Sequence, residues 1–150
     1  MNVINGDLTA ETKGLIIHGV NCQGAMGSGV ALAIKNRWPE VYDAYKSHPQ
    51  GKSQLGQVQF VSISDGLYVA NCWTQEFYGG DGKIYADKAS VRIALFKAFS
   101  FCDEYGLELK TPKIASGLAG LDWDKDVRPL FEQIATVFPD VKVTLFVYEP

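Results

Sequence analysis

The 150-residue chain is short of the residues that build covalent or metal-bound frameworks: it has three cysteines, two histidines and no CxxC pair. Cys22, Cys72 and Cys102 are too few and too scattered for a disulfide framework, and two histidines without a CxxC do not spell a zinc site. All three cysteines are expected as reduced thiols, and no metal is expected. Nor does any apolar run approach the roughly 18 to 20 residues that span a bilayer, and the start, MNVINGDLTAE, has no basic stretch leading into an apolar one. The expectation is a cytoplasmic chain with no membrane partner. Basic excess is missing too: 14 Lys and Arg stand against 17 Asp and Glu, a net charge of -3. That gives no broad electrostatic ground for binding a nucleic-acid backbone, so any anionic ligand must be held locally.

What is present fits one soluble globular domain over residues 1–150. Hydrophobic residues make up 47% and charged ones 21%, the balance of an ordinary folded chain, long enough to bury roughly two-thirds of its unfolded surface. Segments alternate in type, which points to an α/β domain without linker or repeat. Strands are expected at Asn2 to Ile4, Leu15 to Val20, Val58 to Ile63, Leu67 to Trp73, Leu107 to Ala115 and Val141 to Tyr148. Helices are expected over Gly29 to Arg37, Pro39 to Lys46, Ala89 to Tyr105 with Val91, Leu95 and Phe99 on one face, and from a cap at Asp124 to about Phe138. Ser64-Asp65-Gly66 reads as a hairpin turn.

Two strands lead into glycine-bearing loops. The first, within HGVNCQGAMGSGVALAIKNRWP (His18 to Pro39), carries Gly19, Gly24, Gly27 and Gly29 in front of a helix. Unpaired N–H groups and the positive end of the helix dipole would meet whatever lies there, and phosphate is the natural guest. The spacing matches neither the dinucleotide fingerprint nor a P-loop, so anion binding and a plain tight turn both stand for this loop alone. The second, Ser116-Gly117-Leu118-Ala119-Gly120-Leu121, supplies donors from another side, as a diphosphate requires. Asp7, after Gly6, is either an Asx turn or a carboxylate accepting from an exocyclic amine such as that of adenine.

In order and spacing, NGDLT, HGVNCQGAMGSGVALAIKNRWP, IASGLAGLDW and the aromatic ending FVYEP resemble the macrodomain family, which binds ADP-ribose. The resemblance covers nearly the whole chain and is nearest the branch with ADP-ribose-1''-phosphate phosphatases and terminal ADP-ribose glycohydrolases. It implies a three-layer α/β/α fold with a central mixed sheet of about six strands, monomeric, without cofactor or metal. It also implies roles. Asp7 would bind adenine with a backbone donor from Leu8, and Asn21 would contact the distal ribose. Gly27, Ser28, Gly29 and Val30 would run along distal ribose and diphosphate, faced by Ser116, Gly117, Leu118, Ala119, Gly120 and Leu121. Tyr148 would pack on adenine.

Departures bear on mechanism. The glycohydrolases resembled here use a lysine and an aspartate at positions that are Gln75 and Ala119 in this chain, which leaves no evident nucleophile for a Schiff-base route. Lys83, in the same long loop, could substitute if that loop folds inward. Asp122, next to Trp123, reads as a cap that orients the following helix. His18 is the remaining chemical candidate: an imidazole at a strand end, where phosphatase-type relatives also carry histidine, can exchange a proton near neutral pH. A histidine in an apolar strand is otherwise a structural residue, and His48 reads as solvated. Cys22 merits a reactivity check, though no basic residue adjoins it. Trp38 and Trp73 read as packing, while Tyr78 and Tyr85 could border the ribose pocket.

Three functions follow as expectations. One is a slow phosphatase on ADP-ribose 1''-phosphate with His18 and Asn21 at the reacting end. Another is a hydrolase freeing ADP-ribose from modified protein or nucleic acid. The third is a reader that binds free or attached ADP-ribose without chemistry.

Overall fold

Neighbouring residues of the run Leu15 to Val20 part company in space: Leu15 and Ile17 enter one buried cluster, Ile16 and Val20 another. A strand covered on both faces does this, and it explains why the run is continuously apolar rather than alternating. In this computed structural model, which describes residues 1–148 and so leaves Glu149 and Pro150 of the FVYEP ending outside the described residues, six strands and four helices are arranged around that run. In chain order they are β1 (Asn2–Asn5), β2 (Gly14–Asn21), α1 (Gly29–Arg37), α2 (Pro39–Ser47), β3 (Val58–Ser64), β4 (Leu67–Gln75), α3 (Lys88–Tyr105), β5 (Leu109–Thr111), α4 (Arg128–Ala135) and β6 (Val143–Val147).

The strands form one sheet in the order β1-β6-β5-β2-β4-β3. Every pairing is parallel except β3 with β4. One helical layer, α1 and α2, meets Ile16, Val20, Val69 and Trp73 through Ile34, Trp38, Val41 and Tyr45. On the other, Val91, Leu95 and Phe99 of α3 and Phe131 of α4 pack against Leu15, Ile17, Ala70 and Cys72. This is the three-layer α/β/α arrangement with a mixed six-stranded sheet.

Local chemistry sets the ends. Asp87 caps α3 by accepting from the Ser90 N–H at 3.1 Å, and Gly106, at φ +66°, closes it in the left-handed region. Two expectations are corrected. The fifth strand is only Leu109–Thr111 rather than Leu107 to Ala115, because Pro112 has no N–H for the ladder and Ala115 turns to φ +62°. Of the two acids read as caps ahead of the last helix, Asp122 takes that place and Asp124 does not: the Asp122 side chain accepts from the Lys125 N–H at 2.9 Å and starts a wide turn, Trp123–Val127, ahead of α4. Asp124 instead reaches Arg128 across the surface at 3.8 Å.

Candidate functional site

Five parallel strands place their carboxyl ends at one edge of the sheet, and the segments leaving them enclose a cavity of about 1090 Å³. Ligands of open α/β sheets bind in this crevice, and the volume is ample for a nucleotide-sized molecule. The segment after β1 contributes Asp7 and Leu8, the end of β2 His18 and Asn21, the first glycine loop Gly27 to Val30, the second Ser116 to Ala119, and the residue after β6 Tyr148. Gly120 and Leu121 do not line it. Gly120 turns at φ +92° against the Lys83 carbonyl and the backbone of Ile84, and Leu121 is buried in the core under α3 and α4.

Both loops offer backbone donors. No backbone acceptor among the described residues takes the N–H groups of Gly27 and Ser28, or of Gly117, Leu118 and Ala119. Ser28 starts α1 without capping it through its side chain, so the helix's first N–H groups stay open beside the cavity. A Cβ at Gly27 or Gly29 would meet nothing within 4 Å, and Gly29 stands at φ +59°. The first loop therefore leaves a side-chain-sized space along the wall.

A bulge shapes the rim between these loops. Val20 pairs with Trp73 but Asn21 with Gln75, which leaves Thr74 as the extra residue and turns Asn21 out of register. The Asn21 side chain folds the next segment onto itself: Oδ1 accepts from the Gln23 N–H at 2.9 Å, and Nδ2 donates to the Ala25 carbonyl at 2.8 Å. One amide N–H is used there, and the second is the one available to a ligand. Asp7 has a similar double character. Its Oδ1 accepts from the N–H and the hydroxyl of Thr9, at 2.9 and 2.7 Å, as an Asx turn does, while Oδ2 takes no donor among the described residues.

His18 forms part of the wall on the α1 and α2 side, only 1% exposed. Its Nε2 lies 2.5 Å from Asn71 Oδ1 on β4, whereas Nδ1 is buried with no partner among the described residues. Burial pushes the ring down to about 4, only partly opposed by the Asn71 hydrogen bond, so the imidazole is neutral at pH 7. Cys22 is buried, and burial together with Glu76 raises its thiol. That environment disfavours the thiolate. The three cysteines are free thiols, and the described residues hold no cluster of His, Cys, Asp or Glu able to bind a metal.

Some residues fall elsewhere than expected. Lys83 does not line the cavity; its side chain is 77% exposed and its Nζ lies 3.8 Å from Asp81. Gln75 does line it, with Nε2 donating to the Phe77 carbonyl at 2.8 Å. Tyr78 borders the cavity, whereas Tyr85 donates to the Asp81 carboxylate at the surface. His48 is not simply solvated: its ring lies tilted against Trp73, with centroids 4.5 Å apart, and shares a hydrogen bond with Gln54. Sequence reasoning missed Lys113, the only Lys or Arg lining the cavity among the described residues, whose signal was its place just before the second glycine loop. It also missed Asn71 and Tyr45, which reach His18 and Asn21 from β4 and α2.

Comparison with known proteins agrees with this architecture. The Macro domain family matches residues 17–129. A DNA ADP-ribosyl glycohydrolase from Mycobacterium tuberculosis is 28% identical over 147 residues, which is 95% of this chain but 40% of that protein, so the chain spans well under half of that relative. An ADP-ribose 1''-phosphate phosphatase from Aspergillus fumigatus is 44% identical over 48 residues, 31% of this chain and 24% of that one. A macrodomain protein from Streptomyces coelicolor superposes with a TM-score of 0.78 at 29% identity, covering 99% of both chains. With the matched segment running through both glycine loops and the same layered sheet beneath them, the chain belongs to the macrodomain family.

Proposed function

We propose that this chain binds ADP-ribose in the cavity and slowly releases phosphate from ADP-ribose 1''-phosphate. The observation that carries the reading is the convergence of two sets of open backbone N–H groups, one from each glycine loop, on a single cavity with the Asp7 carboxylate toward one end. Backbone donors from two sides suit a diphosphate, and Oδ2 of Asp7 suits an exocyclic amine. Lys113 is the one Lys or Arg among the described residues that line the cavity.

For turnover, water would form its bond to phosphorus as the bond from phosphorus to the anomeric oxygen breaks. The proton of that water would pass to His18 Nδ1 and from there to the departing oxygen. Open N–H groups would carry the charge on the transferring phosphoryl group. A ring held down to about 4 is a weak base, which accords with slow turnover. The same low value favours a second reading, recognition of ADP-ribose without chemistry. Release of ADP-ribose from a macromolecule through lysine is poorly supported, since Lys83 points to solvent beside Asp81.

The test is phosphate release by wild type and His18→Ala, with calorimetric titration of ADP-ribose alongside. Release lost and binding kept in the variant supports the phosphatase. Binding without release by either protein leaves the reader, and absence of binding overturns both. Assay on ADP-ribosylated protein and DNA tests the remaining alternative.

A further inference from the structure

A chain of amides runs from His18 to α2, and each link has only one workable sense. Gln59 Nε2 donates to the Ala44 carbonyl at 2.9 Å, so its Oε1 faces Asn71 as an acceptor. Asn71 Nδ2 donates to that Oε1 at 3.0 Å and lies 3.3 Å from the Val41 carbonyl, a second acceptor. Both groups around Nδ2 accept, so the nitrogen is fixed on that side and Oδ1 must face His18. An acceptor at 2.5 Å requires that Nε2 carry the ring proton. Nδ1 then holds the lone pair, and it is the ring nitrogen with no partner among the described residues.

We propose that Asn71, held in one orientation by Gln59 and the Val41 carbonyl, is a positioning residue that fixes His18 as the Nε2–H tautomer with its basic nitrogen, Nδ1, unengaged by protein. This rests on the reading of His18 as the proton acceptor. When Nδ1 takes a proton, the positive ring donates more strongly to Asn71, and the aligned amides pass that polarisation on to the Ala44 carbonyl in the last turn of α2. Hydrogen bonds in such a chain strengthen one another, and a carbonyl near a helix C-terminus suits a positive charge.

Nitrogen-15 NMR of the His18 ring reads the tautomer without substrate. The wild type is expected to show protonated Nε2 and bare Nδ1. Asn71→Leu removes the acceptor and is expected to lose that preference, with phosphate release down at least tenfold and ADP-ribose affinity within about threefold of wild type. Gln59→Leu removes one of the two acceptors that hold Asn71 Nδ2 and leaves the Val41 carbonyl to orient the amide, so the Nε2–H tautomer and part of the turnover are expected to remain. A wild-type ring protonated on Nδ1 would overturn the inference, as would equal losses in both variants with no change in tautomer. Failure of the wild type to release any phosphate appears in the activity assay instead, and counts against the phosphatase while the ring spectrum still tests Asn71.

Discussion

The Tyr45 hydroxyl, fully buried on α2, lies 2.5 Å from the Asn21 carbonyl and 2.9 Å from Asn21 Oδ1, sharing one proton between two acceptors. The residue that folds the first glycine loop is thus pinned by a helix from below the cavity. Apolar packing holds the phenol in turn, with Tyr45 against Trp73 at 5.6 Å. Tyr45→Phe keeps that packing and deletes the donor. Leaving buried acceptors unpaired costs about 1 to 3 kcal/mol, so ADP-ribose should bind about tenfold more weakly, while adenosine, which lacks the distal ribose proposed to meet Asn21, should bind as before. Equal affinities for ADP-ribose in the two proteins would show that the pin is irrelevant to the site.

Asp7 makes a turn through Oδ1 and is proposed to meet the exocyclic amine of adenine through Oδ2, and two variants separate these roles. Asp7→Asn keeps an oxygen for Thr9 and loses the charge, whereas Asp7→Ala loses both. Hydrogen bonds to charged groups contribute about 1.5 to 3 kcal/mol. Calorimetry should therefore show ADP-ribose affinity down at least tenfold in both, with thermal stability lowered only in the Ala variant. Full affinity in Asp7→Asn would remove Asp7 from the adenine end.

Gly27 has nothing within 4 Å of where a side chain would begin, and its φ is not in the left-handed region. Gly27→Val should therefore fold normally, with a melting temperature near wild type, and place its branch where the ligand runs. Affinity should fall at least tenfold. Retained affinity would mean that the first loop does not embrace the ligand.

His18 makes stability fall with acid. Its ring protonates near 6.5 when unfolded but only at about 4 when folded, because burial opposes the charge. Across that window the unfolded chain binds more protons, so stability present above pH 6.5 is lost as the pH falls toward 4, by about 3 kcal/mol. Urea unfolding of wild type and His18→Asn at pH 7 and pH 4 isolates this from the carboxylates. The wild type should lose the larger share, and parallel losses would place the ring in a more solvated setting.

Local signals made much of this fold readable. Helix α1 begins and ends where Gly29 and Pro39 punctuate the sequence, and β2 shows as an unbroken apolar run because both its faces are covered. The fifth strand was overextended because Ile114 and Ala115 look apolar and strand-like, yet they serve the cavity wall and the core after Pro112 has ended the ladder. At the site, the glycines and Asp7 were legible because loops with special backbone needs have distinctive residues. Tyr45 and Asn71 were not. Nothing in PEVYDAYKS or YVANCW marks them, and their roles arise only when the crossover between β2 and β4 brings α2 and β4 beside His18 and Asn21. The exposure of Lys83 was equally hidden, since its loop is held by contacts such as Tyr85 N–H and Ala86 N–H to the Ala119 carbonyl, at 2.8 and 3.0 Å.

The most direct measurement is a ³¹P NMR time course of ADP-ribose 1''-phosphate with near-stoichiometric protein, which follows the diphosphate signals and free phosphate in the same spectra. Shifted diphosphate resonances are expected at once, then slow growth of inorganic phosphate that disappears in His18→Ala. Unshifted diphosphate signals with no phosphate formed would contradict it at its root, for then the cavity between the two glycine loops does not hold this ligand.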